Sequence, residues 1–147
     1  MHGGNAVSML KNLNIEKLVL VDPYLEYNEY KNSNSGFIYS QLVYDEIYRE
    51  VIYRMRKYGN KVKIFREKSS DVQIDDKFDF IYLDGNYDYI SDDFKKFYPM
   101  LNPGGIFGGY AFSGNHRRFV EELLFLVHQY GLVSNFCGDL NEWWIKL

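Results

Sequence analysis

The chain has 147 residues, room for one domain with a hydrophobic core and too few for two of ordinary size. A hydrophobic share of 46%, a charged share of 25% and a net charge of −3, with neither a Lys/Arg run of five or more nor a basic face in the sequence, exclude a nucleic-acid backbone as the main partner. The single cysteine, Cys137, excludes an intrachain disulfide, and the lack of both a long apolar run and a signal-type N-terminus predicts a cytoplasmic protein with no membrane partner.

In chain order, Gly3 and Gly4 lead into Ala6, Val7, Met9, Leu10 and Leu13, spaced for one face of a short helix. A glycine turn feeding a helix suits phosphate, but here no strand precedes it. Lys17 to Val21 reads as a short strand running into the acid Asp22 and stopped by Pro23. Tyr24 to Gly36 reads as a long polar loop, and a helix is expected from about Phe37 to Tyr58. Its apolar stripe is Ile47, Val51, Met55 and Tyr58; Asp45 with Arg49 and Glu50 with Arg54 are i,i+4 pairs; Gly59-Asn60 is the stop.

Val62 to Phe65 is a brief strand, followed by a polar connection from Glu67 to Lys77. Phe78 to Leu83 then runs as a buried strand into Asp84-Gly85, delivering a carboxylate to the edge where open α/β sheets place ligands. A helix carrying Phe94, Phe97 and Tyr98 ends at Pro99; Pro103-Gly104-Gly105 turns the chain into a strand from Ile106 to Tyr110. The last helix has the stripe Phe119, Leu123, Leu126, Val127 and Tyr130, with Gly131 as its stop. Leu132 to Cys137 and Glu142 to Leu147 read as an antiparallel hairpin. Alternating units of this kind predict a single α/β domain over residues 1–147: a Rossmann-like three-layer α/β/α sandwich, mostly parallel, closed by an antiparallel strand.

That order resembles the class I S-adenosylmethionine-dependent methyltransferases: a glycine-rich start, an acid after the second strand, Asp-Gly after the fourth, Pro-Gly-Gly before the fifth and a final hairpin. Phe78 to Phe112 is similar to the small-molecule branch whose fourth strand ends in a motif of the type Asp-Gly-Asp-His-Ser-Tyr, and Glu142 to Lys146 is similar to that family's last strand. The resemblance implies S-adenosylmethionine as cofactor and a small-molecule methyl acceptor. It assigns Gly3 and Gly4 to the first cofactor motif, Asp22 to the ribose hydroxyls, Ser70 and Asp71 to the adenine, and Asp84 to the methionine end or the acceptor.

Two departures from the family pattern carry expectations of their own. The His-Asp pair that follows the fifth strand in metal-binding members is Tyr110-Ala111 here, and the His after the fourth strand is Tyr87. No metal is therefore expected, and Asp84, Tyr87, Tyr110 and His116 stand as candidate bases. The family's first strand is missing ahead of Gly3, so the chain reads as an N-terminally truncated methyltransferase-like domain of doubtful activity, with sheet edges open to homo-oligomers. The rival expectations are a non-catalytic interaction module that associates through those edges and a Rossmann-type nucleotide binder.

Overall fold

The computed structural model describes residues 2–26 and 39–147. Most of the polar loop and the start of the predicted helix at Phe37 lie outside the described residues. The chain divides into two compact units, Met1–Val72 and Gln73–Leu147.

The first unit holds α1 (Gly4–Asn12), β1 (Leu18–Val21), α2 (Gln41–Met55) and β2 (Val62–Phe65). β1 and β2 pair in parallel, Leu18 opposite Val62 and Val21 opposite Phe65. Alternation along the strands sends Leu18, Leu20, Val62 and Ile64 against a buried cluster of Ala6, Tyr24, Tyr44, Ile47, Val51 and Met55. The last four recur at helical spacing, so Ile47, Val51 and Met55 of the predicted stripe lie on α2 and Tyr44 extends it by a turn, whereas Tyr58, its predicted last member, falls beyond the helix and is only partly buried. α2 gives way at Arg56 to a 3-10 stretch that breaks at Gly59, whose φ of 56° suits glycine alone.

The expected pair of Glu50 and Arg54 forms, at 2.5 Å. Asp45, however, pairs with Arg66 at the end of β2, and Arg49 turns to Glu46. Arg66 wins because it is fixed from other sides: it donates to the Tyr24 carbonyl at 3.2 Å and its guanidinium lies 4.8 Å from the centre of the Tyr48 ring. An exposed i,i+4 partner offers only a few tenths of a kcal/mol, about 0.3–0.5, against such a preset one. Hydrogen bonds from Arg66 and then Gln41 hold the Asp45 carboxyl below the usual range.

The second unit holds β3 (Phe78–Leu83), α3 (Ile90–Phe97), β4 (Leu101–Gly109), α4 (Arg117–Gln129), β5 (Ser134–Cys137) and β6 (Glu142–Lys146). Its four strands run in the order β3-β4-β6-β5. β3 and β4 are parallel; β4 with β6 and β6 with β5 are antiparallel, which is the expected closing hairpin. β4 starts earlier than predicted, because Leu101 already pairs with Phe78; the register then jumps to Phe80 opposite Ile106. The Pro103-Gly104-Gly105 turn is therefore a bulge inside the strand, with Gly104 at φ 80°. Phe94, Phe107, Leu123 and Ile145 are fully buried, and the rings of Phe94, Tyr98, Phe107 and Tyr130 meet with centroids 5.1–5.9 Å apart.

The strands thus form a two-stranded and a four-stranded sheet. Among the described residues, no strand pairs with the second edge of β1 or of β3. No described helix is long and apolar enough to cross a membrane.

After β4 the chain is pinned to the hairpin by Phe112, whose ring stacks on Phe136 at 3.9 Å and 23° and whose N–H donates to the Asn141 carbonyl at 2.9 Å. Phe136→Ala is expected to lower the stability of the second unit by about 1 kcal/mol, the worth of such a pair beyond its area. Denaturant titration read by tryptophan fluorescence checks this, since both tryptophans, Trp143 and Trp144, lie in β6 and report this unit alone.

Candidate functional site

In the first unit, parallel pairing sets the C-terminal ends of β1 and β2 side by side. Asp22 continues the ladder, its N–H donating to the Phe65 carbonyl at 3.2 Å. Its carboxylate Oδ1 accepts the Tyr24 N–H at 2.9 Å, the bond of an Asx turn that holds Tyr24 in a left-handed conformation at φ 47°. The Tyr24 ring is buried, and burial together with the Asp22 charge pushes its phenol well above the ordinary value. Gln41 of α2 ties down the same loop, bonding the Tyr24 carbonyl and exchanging bonds with Glu26. Asp22 is thereby a partly buried carboxylate on a rigid turn.

Ser70 and Asp71 are exposed on the turn that follows β2, where the Ser70 hydroxyl donates to Asp71 Oδ1 at 2.7 Å and the Asp71 N–H donates to the Lys68 carbonyl. Gly3 and Gly4 do not join them. Gly3 caps α1 at φ 70°, and a Cβ there would meet Met55 Cε at 3.2 Å and Val51 Cγ2 at 3.4 Å. Those residues lie about two to three turns along α2 from Tyr44, which neighbours Asp22. Gly3 therefore has a packing reason of its own, while Gly4 faces open space.

In the second unit, Leu83 and Gly109 are register partners and the Tyr110 N–H donates to the Leu83 carbonyl at 3.2 Å, so Asp84 and Tyr110 emerge together from adjacent strand ends. Asn86 caps the turn that follows, its Oδ1 accepting the Asp88 N–H at 3.1 Å. That turn presents Tyr87, whose ring packs 4.5 Å from His116 and 5.4 Å from Phe119 by their centroids. Four residues singled out in the sequence, Asp84, Tyr87, Tyr110 and His116, are thus gathered at one edge. Beneath them a pocket with room for about one water is lined by Leu83, Gly85, Asn86, Tyr87, Tyr110 and the buried Asp93.

The electrostatics separate these groups by role. Asp84 meets solvent, yet the protein packed around it raises its carboxyl pKa above the ordinary value. The Tyr87 phenol is also raised, by burial first and then by the Asp84 charge and Tyr110. A raised carboxyl makes a stronger base, whereas a raised phenol stays protonated near neutrality and can only donate. Asp84 is the better base of the two.

Sequence reading missed three neighbours. The Tyr82 hydroxyl donates to Glu142 at 3.2 Å, across the sheet from β3 to β6, and burial and then Glu142 push that phenol up as well. Only the strand order brings them together; alternation put Tyr82 on a face but could not name its partner. Asp93 was legible in principle, lying three residues after Ile90 and four before Phe97, on the apolar side of α3.

No protein-family model matches the chain, and no curated protein matches its sequence. Solved structures do. The O-methyltransferase TomG from Streptomyces achromogenes, in complex with SAM, superposes with a TM-score of 0.64 at 12% identity, over 99% of this chain and 69% of that one. The O-methyltransferase NovP gives 0.64 at 15%, over 99% and 67%. The N-methyltransferase NodS from Bradyrhizobium japonicum WM9, in complex with S-adenosyl-L-homocysteine, gives 0.58 at 12%, over 99% and 71%. On this likeness the chain has the Rossmann-like fold of the class I S-adenosylmethionine-dependent methyltransferases.

Proposed function

We propose that the protein transfers a methyl group from S-adenosylmethionine to a small-molecule acceptor. The observation that carries this reading is the gathering of Asp84, Tyr87, Tyr110 and His116 at the C-terminal ends of β3 and β4, the ligand edge of such a fold. Neighbours that methylate oxygen and nitrogen leave a hydroxyl and an amine both eligible as the attacking group. A cytoplasmic setting goes with this reading.

The residues of the first unit fit the cofactor at Asp22. A carboxylate on a rigid turn at a strand end suits a ribose diol; Ser70 and Asp71 are further polar groups on the turn after β2. Bound there, S-adenosylmethionine supplies an electrophilic methyl on a sulfonium sulfur. In the second unit, Asp84 is the group to take the proton from the acceptor, and Tyr87 and Tyr110 are donors to the acceptor's polar groups.

Titration calorimetry with S-adenosylmethionine tests the reading. Asp22→Asn keeps an oxygen for the Tyr24 N–H but loses the charge, and is expected to weaken binding by about tenfold, the worth of one charge-assisted hydrogen bond. Absence of any binding by the unaltered chain would defeat the proposal. The edges of β1 and β3 that no described strand covers favour the second reading, a module that pairs through them. Size-exclusion chromatography with light scattering discriminates, since a monomer at high concentration counts against edge pairing.

A further inference from the structure

The chain is acidic overall, yet from Val51 to Arg66 it carries six cations, Arg54, Arg56, Lys57, Lys61, Lys63 and Arg66, and no carboxylate. No run of five appears because other residues interrupt them, but the fold gathers three at one place in the first unit. Arg54, Arg56 and Lys57, with Tyr53 and Val7, line a groove of about 370 Å³, within the size range of small-molecule sites. α1 adds no acid, and Lys11 follows Val7 by one helical turn on the same face.

The cations are not equivalent. Arg54 is partly neutralised by Glu50, which His2 also approaches at 3.3 Å. Arg56 and Lys57 meet no carboxylate among the described residues; aromatic rings steer them instead, Arg56 lying 5.0 Å from the Tyr53 centroid and Lys57 5.0 Å from that of Tyr58. A ring positions a cation without cancelling its charge. Two adjacent, pre-positioned and unneutralised charges over an apolar floor call for a ligand of at least two negative charges.

We propose that this groove binds a small molecule bearing two or more phosphate groups, through Arg56 and Lys57 with Arg54 in support, its remaining surface resting on Tyr53 and Val7. The short row of cations along the groove and the acidic balance of the chain favour a compact polyphosphate over a nucleic-acid strand, which needs an extended basic track. This site does not depend on the methyl-transfer reading.

Calorimetric titration of the full chain with inorganic tripolyphosphate in low-salt buffer is the test. One-to-one binding is expected, weakening as salt rises, and the exposed pair Arg56→Gln/Lys57→Gln is expected to reduce affinity by at least about tenfold with an unchanged circular dichroism spectrum. Lys95→Gln/Lys96→Gln in α3, which removes the same formal charge elsewhere, is expected to leave the affinity within about twofold. Equal losses in the two pairs, no binding, displacement by S-adenosylmethionine, or an oligonucleotide of equal phosphate count binding about tenfold tighter would each overturn the assignment.

Discussion

Gly109→Ala is expected to leave the second unit unfolded or destabilised by at least about 3 kcal/mol, the upper range of overpacking in a closed core. Gly109 lies in β4 between β3 and β6, and a Cβ there would stand 2.5 Å from the Leu83 carbonyl oxygen on one side and 3.0 Å from Trp143 Nε1 on the other. The first obstacle is backbone held in the β3–β4 ladder, so it cannot rotate away as a side-chain tip would. The second is an indole that is 1% exposed and whose N–H has no hydrogen-bond partner among the described residues. Moving either strand aside lengthens the bonds that keep Tyr110 beside Leu83 and so disturbs the candidate site as well. Gly108 is caught in the same way, 2.6 Å from the Trp143 carbonyl oxygen. The control is Gly138→Ala in the hairpin turn, where a Cβ meets nothing within 4 Å and a change within about 0.5 kcal/mol is expected. Denaturant titration followed by tryptophan fluorescence reads both, and equal midpoints for the two variants would refute the packing argument.

This requirement shows what the sequence could and could not reveal. Ile106 to Tyr110 was legible as a strand from its composition and the turn before it, and the stripes of α2, α3 and α4 were legible from their period. Why two glycines stand in mid-strand was not, because the reason is the approach of β3 and β6, elements distant in sequence. The same limit explains the ion pairs: spacing predicted Asp45 with Arg49, but Arg66 arrives from β2 through the fold and outcompetes it. The bulge at Pro103 to Gly105 escaped because a Pro-Gly-Gly turn reads as a boundary, and only pairing shows that Leu101 already belongs to the strand. At the site, Asp84 followed from a strand ending in an acid, and Tyr87, Tyr110 and His116 from lying after neighbouring strands. Asp22 likewise followed from a strand ending in an acid, whereas the packing of Gly3 against Val51 and Met55 comes from α2, a segment distant in sequence, and could not be read from the glycine pair.

Asp84→Asn is expected to reduce methyl transfer to a hydroxyl acceptor by about 10²–10³-fold while leaving the affinity for S-adenosylmethionine within about twofold. The substitution keeps size and polarity and removes only the basic oxygen. Because its surroundings raise the Asp84 pKa, the rate in the unaltered protein should climb as pH rises through that raised value and then level off; in the variant that limb disappears. Tyr87→Phe is the contrasting case: its phenol, also raised, remains protonated, so losing it removes a donor and is expected to cost about tenfold or less with the pH limb intact. Stability moves in the opposite direction to activity. A carboxyl whose pKa is higher folded than unfolded keeps its proton longer in the native state, so stability falls as pH rises from the unfolded value through the folded one, and the cost is complete above both. Asp84→Asn should consequently melt higher than the unaltered protein near neutrality, the difference closing below the unfolded carboxylate pKa. A variant that is inactive, more stable at neutral pH and still able to bind cofactor would carry the mark of a functional carboxylate rather than a structural one. Retained activity with an unchanged pH profile would remove Asp84 from the chemistry and shift the role of base to His116, the group packed against Tyr87.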